Sequence, residues 1–208
     1  QPDVIIAVGG GSAMDAAKIM WVLYEHPEAD FLDMAMRFMD IRKRVYTFPH
    51  MGDKATFVAV PTSAGTGSEV TAVAVLTDHE KKTKVSMVHK VFPRLALVDA
   101  KYVSFAPRSV LSSTGVDALA HLLESGINSN STDYSRMFVK EGLSVWSRSK
   151  EVLTGHREPA REDFRNLMNA STFAGMAIAH TGTSLPHGLS YGITYHLGVP
   201  HGKACGYF

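Results

Sequence analysis

Four side chains that commonly bind metal ions occur in regular local settings in this sequence. Asp117 and His121 are four residues apart in the segment TGVDALAHLLES. The tripeptide Pro-His-Gly occurs twice, with His187 and His201 at its centres. Positions i and i+4 share one face of a helix, so Asp117 and His121 can converge on one ion. One carboxylate and three imidazoles together predict a divalent-metal site.

Each of these residues also has a purely structural interpretation. Thr114 precedes Asp117 by three residues and would be a helix N-cap, which would place Asp117 in a capping box. His121 could be an ordinary core histidine, and His180 and His196 compete with the predicted ligands. His196 lacks the Pro/Gly setting and is expected at the surface or behind the ligands. Four candidates in regular settings favour the metal site.

Two loops that follow apolar strands indicate a site for a phosphate-bearing cofactor. The apolar run 4–8 leads into three glycines and Ser12, and the run 56–60 leads into the loop 61–69, rich in glycine and hydroxyl groups. Glycine lets backbone N–H groups approach phosphate oxygens, and a following helix N-terminus favours anions. Ser12 could cap that helix or donate its hydroxyl. A glycine turn needed only for packing remains the alternative for the first loop. Ligands of open α/β sheets bind at the carboxyl ends of strands, so two such loops favour a dinucleotide site.

The order of elements predicts an α/β half followed by an all-helical half, with the division near residue 106. Strands are expected at 4–8, 56–60 and 95–98, a hairpin from 70–77 and 84–88, and helices at 13–24 and 33–44. The strand at 4–8 is expected to be covered on both faces. In the second half, helices are expected at 108–111, 116–125, 133–146, 161–180 and 189–196.

Composition excludes several classes of protein. The 208 residues carry a net charge of +1, so a nucleic-acid partner is not expected. We find no apolar run long enough for a membrane span and no signal peptide. The single cysteine, Cys205, excludes an internal disulfide and suits a reducing compartment, so we expect a cytoplasmic protein. Because the chain opens at Gln1, directly before a strand, we expect it to be part of a longer protein.

The motifs GGGSAMDAAK, PTSAGTGSEVT, STGVDALAHLLES and the Pro-His-Gly pair, in this order and spacing, resemble those of the iron-containing (group III) alcohol dehydrogenase family. Residues 1–100 are especially similar to the alcohol dehydrogenase half of bifunctional aldehyde-alcohol dehydrogenases. The resemblance implies an α/β fold with the two-domain plan of dehydroquinate synthase. Residues 1–106 would be the C-terminal part of a Rossmann-like dinucleotide-binding domain. Residues 107–208 would be the N-terminal part of an all-helical metal-binding domain.

The resemblance also implies roles for individual residues. The matches to the family's metal ligands, for iron(II) or zinc, are Asp117, His121, His187 and His201. The matches to its cofactor-binding residues are Gly10, Gly11 and Ser12 in the pyrophosphate loop, Thr62, Ser63 and Thr66 in the second loop, and Lys84 near the ribose. Many members carry a histidine where Tyr191 stands here, so Tyr191 is either a catalytic proton donor or part of the pocket wall.

The function implied by the resemblance is that of a metal-dependent alcohol dehydrogenase or aldehyde reductase. It would transfer a hydride between a small primary alcohol and NAD or NADP, with the metal acting as a Lewis acid on the substrate oxygen. A homo-oligomer is expected, with no nucleic-acid or membrane partner. The alternatives are a glycerol dehydrogenase-like polyol oxidoreductase, a metallohydrolase, and a non-catalytic truncated or assembly module.

Overall fold

The computed structural model describes residues 1–29, 50–80, 82–87 and 91–208. The helix predicted at 33–44 lies outside these residues. The strands are β1 (Val4–Gly9), β2 (Thr56–Pro61), β3 (Ala74–Asp78), β4 (Thr83–Met87) and β5 (Leu95–Ala96). The helices are α1 (Gly11–Glu25), α2 (Ala100–Val103), α3 (Arg108–Ile127), α4 (Asp133–Ser147), α5 (Lys150–Thr154), α6 (Arg161–Thr181), α7 (Leu185–Leu197) and α8 (His201–Cys205), with a short 3-10 helix at Ser68–Val70.

Three strands form a parallel sheet in the order β1-β2-β5, and β3 pairs with β4 as an antiparallel hairpin. In the register of β1 and β2, Gly9 lies opposite Pro61, so the two strands end side by side. The loops that follow them therefore begin at the same edge of the sheet, as ligand-binding loops do in open α/β folds. The α/β architecture followed by helices is confirmed, while the division at residue 106 stays a prediction.

The outer strand β1 is covered on one face, not on both as predicted. Among the described residues, Ala7 is buried, whereas Val4, Ile6 and Val8 on the opposite face are exposed. Alternate side chains of a strand point to opposite faces, and only one face of β1 meets the core that also contains α1. The prediction was wrong because a continuous apolar run does not reveal whether a second layer is present. In contrast, β2 is buried from Phe57 to Pro61, as expected for the central strand.

The helical half packs around α3 and α6. One apolar cluster joins Leu111 of α3 to Val152 of α5 and to Leu167 and Met168 of α6. A second cluster joins Ala118, Leu122 and Ala174. The helices predicted at 108–111 and 116–125 form one continuous helix, α3, and α7 begins four residues before the predicted start. Helices α2, α5 and α8 were not predicted. No helix in the described part of the chain is long and apolar enough to cross a membrane.

Candidate metal centre and coenzyme loops

Helix α3 places the first pair of predicted ligands on one buried face. Asp117 and His121 are 3% and 5% exposed, one helical turn apart. Thr114 lies inside the helix, where its hydroxyl donates to the carbonyl of Val110 at 2.9 Å. The interpretation of Thr114 as an N-cap was therefore wrong, because α3 already begins at Arg108. The capping-box alternative for Asp117 was therefore also wrong, because it required Thr114 as the N-cap.

The two Pro-His-Gly tripeptides are helix starts. His187 lies in the first turn of α7, and His201 is the first residue of α8, after Pro200. Helix α8 crosses α3 so closely that a Cβ atom on Gly202 would lie 1.8 Å from the carbonyl oxygen of Ser113. Only glycine permits this approach, which brings His201 to the buried face of α3.

These helices bring the predicted ligands together. The Asp117 Oδ1 atom lies 3.4 Å from Nε2 of His187 and 3.7 Å from Nε2 of His201. The ring of His121 stacks on that of His187, with 4.4 Å between centroids. Donor atoms of Asp117, His187, His201 and Cys205 all lie within 4.8 Å of one another. His121 is next to this group but outside it.

Two buried atoms in the centre of the cluster indicate that it binds a cation. Asp117 Oδ1 and His187 Nε2 are fully buried and face each other at 3.4 Å, and neither makes a hydrogen bond among the described residues. Buried polar atoms are almost always paired, because the loss of hydration is otherwise uncompensated. A divalent ion placed between the carboxylate and the imidazole would satisfy both. The residues present therefore fit a metal.

Glu124 supports the cluster from behind and was missed by the sequence analysis. Its Oε1 atom contacts Nδ1 of His187, and its Oε2 atom accepts hydrogen bonds from the backbone N–H and hydroxyl of Ser184. A carboxylate on the far nitrogen of an imidazole orients the ring toward a metal. Glu124 follows His121 by three residues on the same helix, and this spacing was the available signal.

The charges of the cluster match a metal site. Burial opposes ionisation of Asp117, but the imidazoles around it lower its pKa, so the carboxylate is charged. Burial lowers the pKa of His121, and it lowers that of His201 to about 4, so both rings are neutral. Burial acts in the same direction on His187, but the carboxylates of Asp117 and Glu124 raise its pKa to about 12. A bound cation would take the place of that proton.

The ring of Tyr191 stacks on the ring of His201, with 5.8 Å between their centroids. Burial raises the pKa of its hydroxyl, which therefore keeps its proton at neutral pH. A catalytic role for Tyr191 stays a prediction. The competing candidates His180 and His196 are exposed and lie outside the cluster.

The two strand-end loops touch each other. A Cβ atom on Gly10 would lie 3.2 Å from Oγ of Ser63, and one on Gly11 would lie 2.8 Å from Cγ2 of Thr66. Ser12 is exposed in the first turn of α1, and the helix has no side-chain cap, so the capping role was wrong. Its hydroxyl is open to a ligand instead.

The second loop also reaches the metal cluster. His121 Nδ1 lies 3.2 Å from the carbonyl oxygen of Gly65. Thr62 donates its backbone N–H to the carbonyl oxygen of Gly9 at 2.9 Å, which ties the start of this loop to the end of β1. Burial is the main cause of the lowered pKa of His201, and the charge of Lys84 on the hairpin lowers it further. A coenzyme-binding role for Lys84 stays a prediction.

A buried lysine anchors the segment that follows the second loop. Lys18 donates to Oγ of Ser68 at 2.9 Å and to the carbonyls of Thr71 and Val73 at 2.9 and 2.8 Å. Ser68 in turn donates to Asp15 at 2.9 Å. Burial lowers the pKa of Lys18 to about 8. Asp15 and Lys18, both on α1, therefore have a scaffold role, because they tie this helix to the segment that follows the second loop.

Comparison with known proteins agrees with this fold and site. Residues 1–100 match the family described as Iron-containing alcohol dehydrogenase, and residues 111–208 match the C-terminal region of the same family. Aldehyde-alcohol dehydrogenase 2 of Entamoeba histolytica is 43% identical over 97% of this chain, which spans 23% of that protein.

Solved structures give the same result. An iron-containing alcohol dehydrogenase from Thermotoga maritima superposes with a TM-score of 0.84 at 36% identity, covering 98% of this chain and 52% of that one. A sulfoacetaldehyde reductase from Bifidobacterium kashiwanohense, in complex with NAD+, gives 0.77 at 31% identity, with coverage of 98% and 52%. The chain belongs to the iron-containing alcohol dehydrogenase family.

Proposed function

We propose that this chain carries the coenzyme loops and the metal centre of a metal-dependent alcohol dehydrogenase and aldehyde reductase. The single observation that carries the proposal is the pair of buried, unpartnered atoms, Asp117 Oδ1 and His187 Nε2, in a cluster that contacts the second strand-end loop. Membership of the family supports the same activity. Because the chain spans about a quarter of the length of the Entamoeba histolytica aldehyde-alcohol dehydrogenase, the activity is proposed for the whole protein.

The proposed metal ligands are the carboxylate of Asp117 and the imidazoles of His121, His187 and His201. A set of oxygen and nitrogen donors suits iron(II) and zinc alike. The name of the family supports iron(II) as the ion, and zinc is the alternative that elemental analysis distinguishes.

The proposed coenzyme is NAD(H), held at the edge of the sheet where β1 and β2 end. The NAD+ in the Bifidobacterium reductase supports this choice, and NADP(H) is the alternative. The proposed binding residues are Gly10, Gly11, Ser12, Thr62, Ser63, Thr66 and Lys84.

Asp117, His121, His187 and His201 would hold a divalent ion that supplies Lewis acidity toward a substrate oxygen, and the two strand-end loops would hold a coenzyme that supplies or accepts a hydride. The protein positions these groups. Glu124 holds the ring of His187, and the carbonyl of Gly65 holds that of His121. Tyr191 keeps its proton beside His201 and is proposed to donate it to the product oxygen during aldehyde reduction.

The proposed substrate is a small primary alcohol or its aldehyde. We further propose that the protein works in the cytoplasm as a homo-oligomer, with no nucleic-acid or membrane partner. The near-zero net charge of +1 supports the absence of a polyanionic partner.

Elemental analysis of anaerobically purified protein tests the proposal. We expect about one iron or zinc ion per chain in the wild type and none in His201→Ala, because that variant removes one proposed ligand. His196→Ala is the matched control, since His196 is an exposed histidine on the neighbouring helix α7 and should keep the metal. A wild-type protein that binds no iron or zinc, even after reconstitution, would refute the proposed metal centre.

A further inference from the structure

The only cysteine of the chain lies at the metal cluster. Cys205 is the last residue of α8, one helical turn after His201, and is 2% exposed. Its Sγ atom lies 3.8 Å from both ring nitrogens of His201. In the sequence, this single cysteine indicated only a reducing compartment and the absence of an internal disulfide. We propose that Cys205 binds the metal ion directly through its sulfur, an inference that rests on the metal centre proposed above.

The measured separations between donor atoms are those of neighbouring ligands on one ion. With bonds of about 2.0–2.2 Å to nitrogen or oxygen and about 2.3 Å to sulfur, a tetrahedral ion separates its donors by roughly 3.3–3.7 Å. The distances from Asp117 Oδ1 to the imidazoles of His187 and His201 are 3.4 and 3.7 Å. The 3.8 Å between Cys205 and His201 needs a shift of only about a tenth or two of an ångström to fit.

A second observation independently indicates a ligand at this point. Asp117 Oδ1 and His187 Nε2 are buried, unpartnered and part of the same four-donor group as the sulfur. An ion at the centre of the group would therefore meet a thiol within reach. His121 is not in this group, and its Nδ1 atom faces the carbonyl of Gly65. Cys205 is thus a donor in addition to the predicted histidines.

The proposed step is a simple exchange of bonds. The S–H bond of Cys205 breaks, the proton passes to solvent, and the thiolate sulfur binds the ion. A thiolate adds a negative charge and a soft donor to a site otherwise built from nitrogen and oxygen. It therefore shifts the preference of the site toward zinc, cobalt(II) and cadmium, and away from manganese and magnesium.

Cobalt(II) reconstitution of the full metal-free chain tests this inference. Cobalt bound to a thiolate shows an intense charge-transfer band in the near ultraviolet, and in this chain only Cys205 can produce it. We expect one cobalt per chain with this band in the wild type. Cys205→Ser, which preserves the size of the side chain, should bind cobalt without the band, and Lys203→Ala, an exposed change on the same helix, should keep it.

The outcomes separate this inference from the proposed function. A wild-type protein with one bound cobalt and no thiolate band would overturn the role of Cys205 and leave the metal centre intact. A wild-type protein that binds no cobalt would overturn both. X-ray absorption on the zinc-loaded wild type gives a second measurement that does not depend on the folding of any variant. One sulfur neighbour at about 2.3 Å is expected, and its absence would overturn the inference.

Discussion

His121 Nδ1 lies 3.2 Å from the carbonyl oxygen of Gly65, and this contact joins the metal cluster to the second coenzyme loop. The neighbours of Gly65 in this loop contact the first loop. Ser63 lies against Gly10, and Thr66 lies against Gly11. One loop therefore sets the distance between the proposed coenzyme and the proposed metal. Hydride transfer requires such a fixed distance, since the reacting groups must be held in contact.

Gly65→Ala is expected to disturb both sites at once. A Cβ atom at this position would lie 2.4 Å from the carbonyl oxygen of Thr114, so the loop must move away from α3. We expect the free energy of unfolding to fall by about 1–3 kcal/mol. Metal and NADH affinity should fall together, as measured by calorimetric titration.

Gly192→Ala is the matched control for that change. Nothing lies within 4 Å of its added Cβ atom, and Gly192 is inside helix α7. Alanine is the better helix former, so this variant should be as stable as the wild type or more stable by up to about 1 kcal/mol. If Gly65→Ala lowers the affinity for only one of the two ligands, the loop does not couple the sites.

Glu124→Gln should weaken metal binding without removing a proposed ligand. The amide keeps the shape of the side chain but loses the charge that holds His187. We expect the dissociation constant for zinc to rise by about 10- to 100-fold, measured by competition with a chelator. Glu141→Gln, an exposed change on α4, is the control and should bind like the wild type. Equal affinities of all three proteins would show that Glu124 does not orient His187.

Ser12→Glu should block coenzyme binding while leaving the fold intact. The new carboxylate would lie in the first turn of α1, where it is favourable for the helix but repels a pyrophosphate. We expect NADH binding, followed by fluorescence, to be lost at unchanged melting temperature. Ala16→Glu, exposed one turn later on α1, should bind NADH. Tight NADH binding by Ser12→Glu would place the coenzyme elsewhere.

Asp163→Asn should change the pH dependence of stability. Both carboxylate oxygens of Asp163 accept hydrogen bonds from Arg157 at 2.6 Å, and this contact lowers the pKa of Asp163 to about 2 from an ordinary value of 3.8. A carboxylate with a lowered pKa stabilises the fold above pH 3.8, and this contribution is lost as the pH falls through about 2.

At neutral pH the asparagine variant should therefore be less stable by roughly 1–2 kcal/mol, because Arg157 is partly exposed and its charge is partly screened. The difference from the wild type, measured by urea unfolding, should shrink as the pH approaches 2. Glu162→Gln removes an exposed pair with Arg165 and should change stability by less than about 0.5 kcal/mol. If the free energies of unfolding of wild type and Asp163→Asn differ by a constant amount over this pH range, the pKa of Asp163 is not lowered by folding.

Local patterns predicted most of the fold. The apolar runs 4–8 and 56–60 correspond to β1 and β2, and the predicted hairpin corresponds to β3 and β4. The helix break predicted between residues 111 and 116 was wrong, because α3 is continuous through this run of weak helix formers, which includes Gly115. There Trp146 donates to the carbonyl of Gly115 at 2.7 Å and Leu153 packs against its Cα, and these tertiary contacts hold the helix together.

The sequence by itself determined the family, the two strand-end loops and the candidate ligands, because each depends on residues close together in the chain. Tertiary structure decided that Glu124 meets His187, 63 residues further on, and that Cys205, which was not among the candidates, belongs to the tightest group of donors. Such contacts depend on how α3, α7 and α8 pack, and side-chain periodicity within one helix does not specify its neighbours.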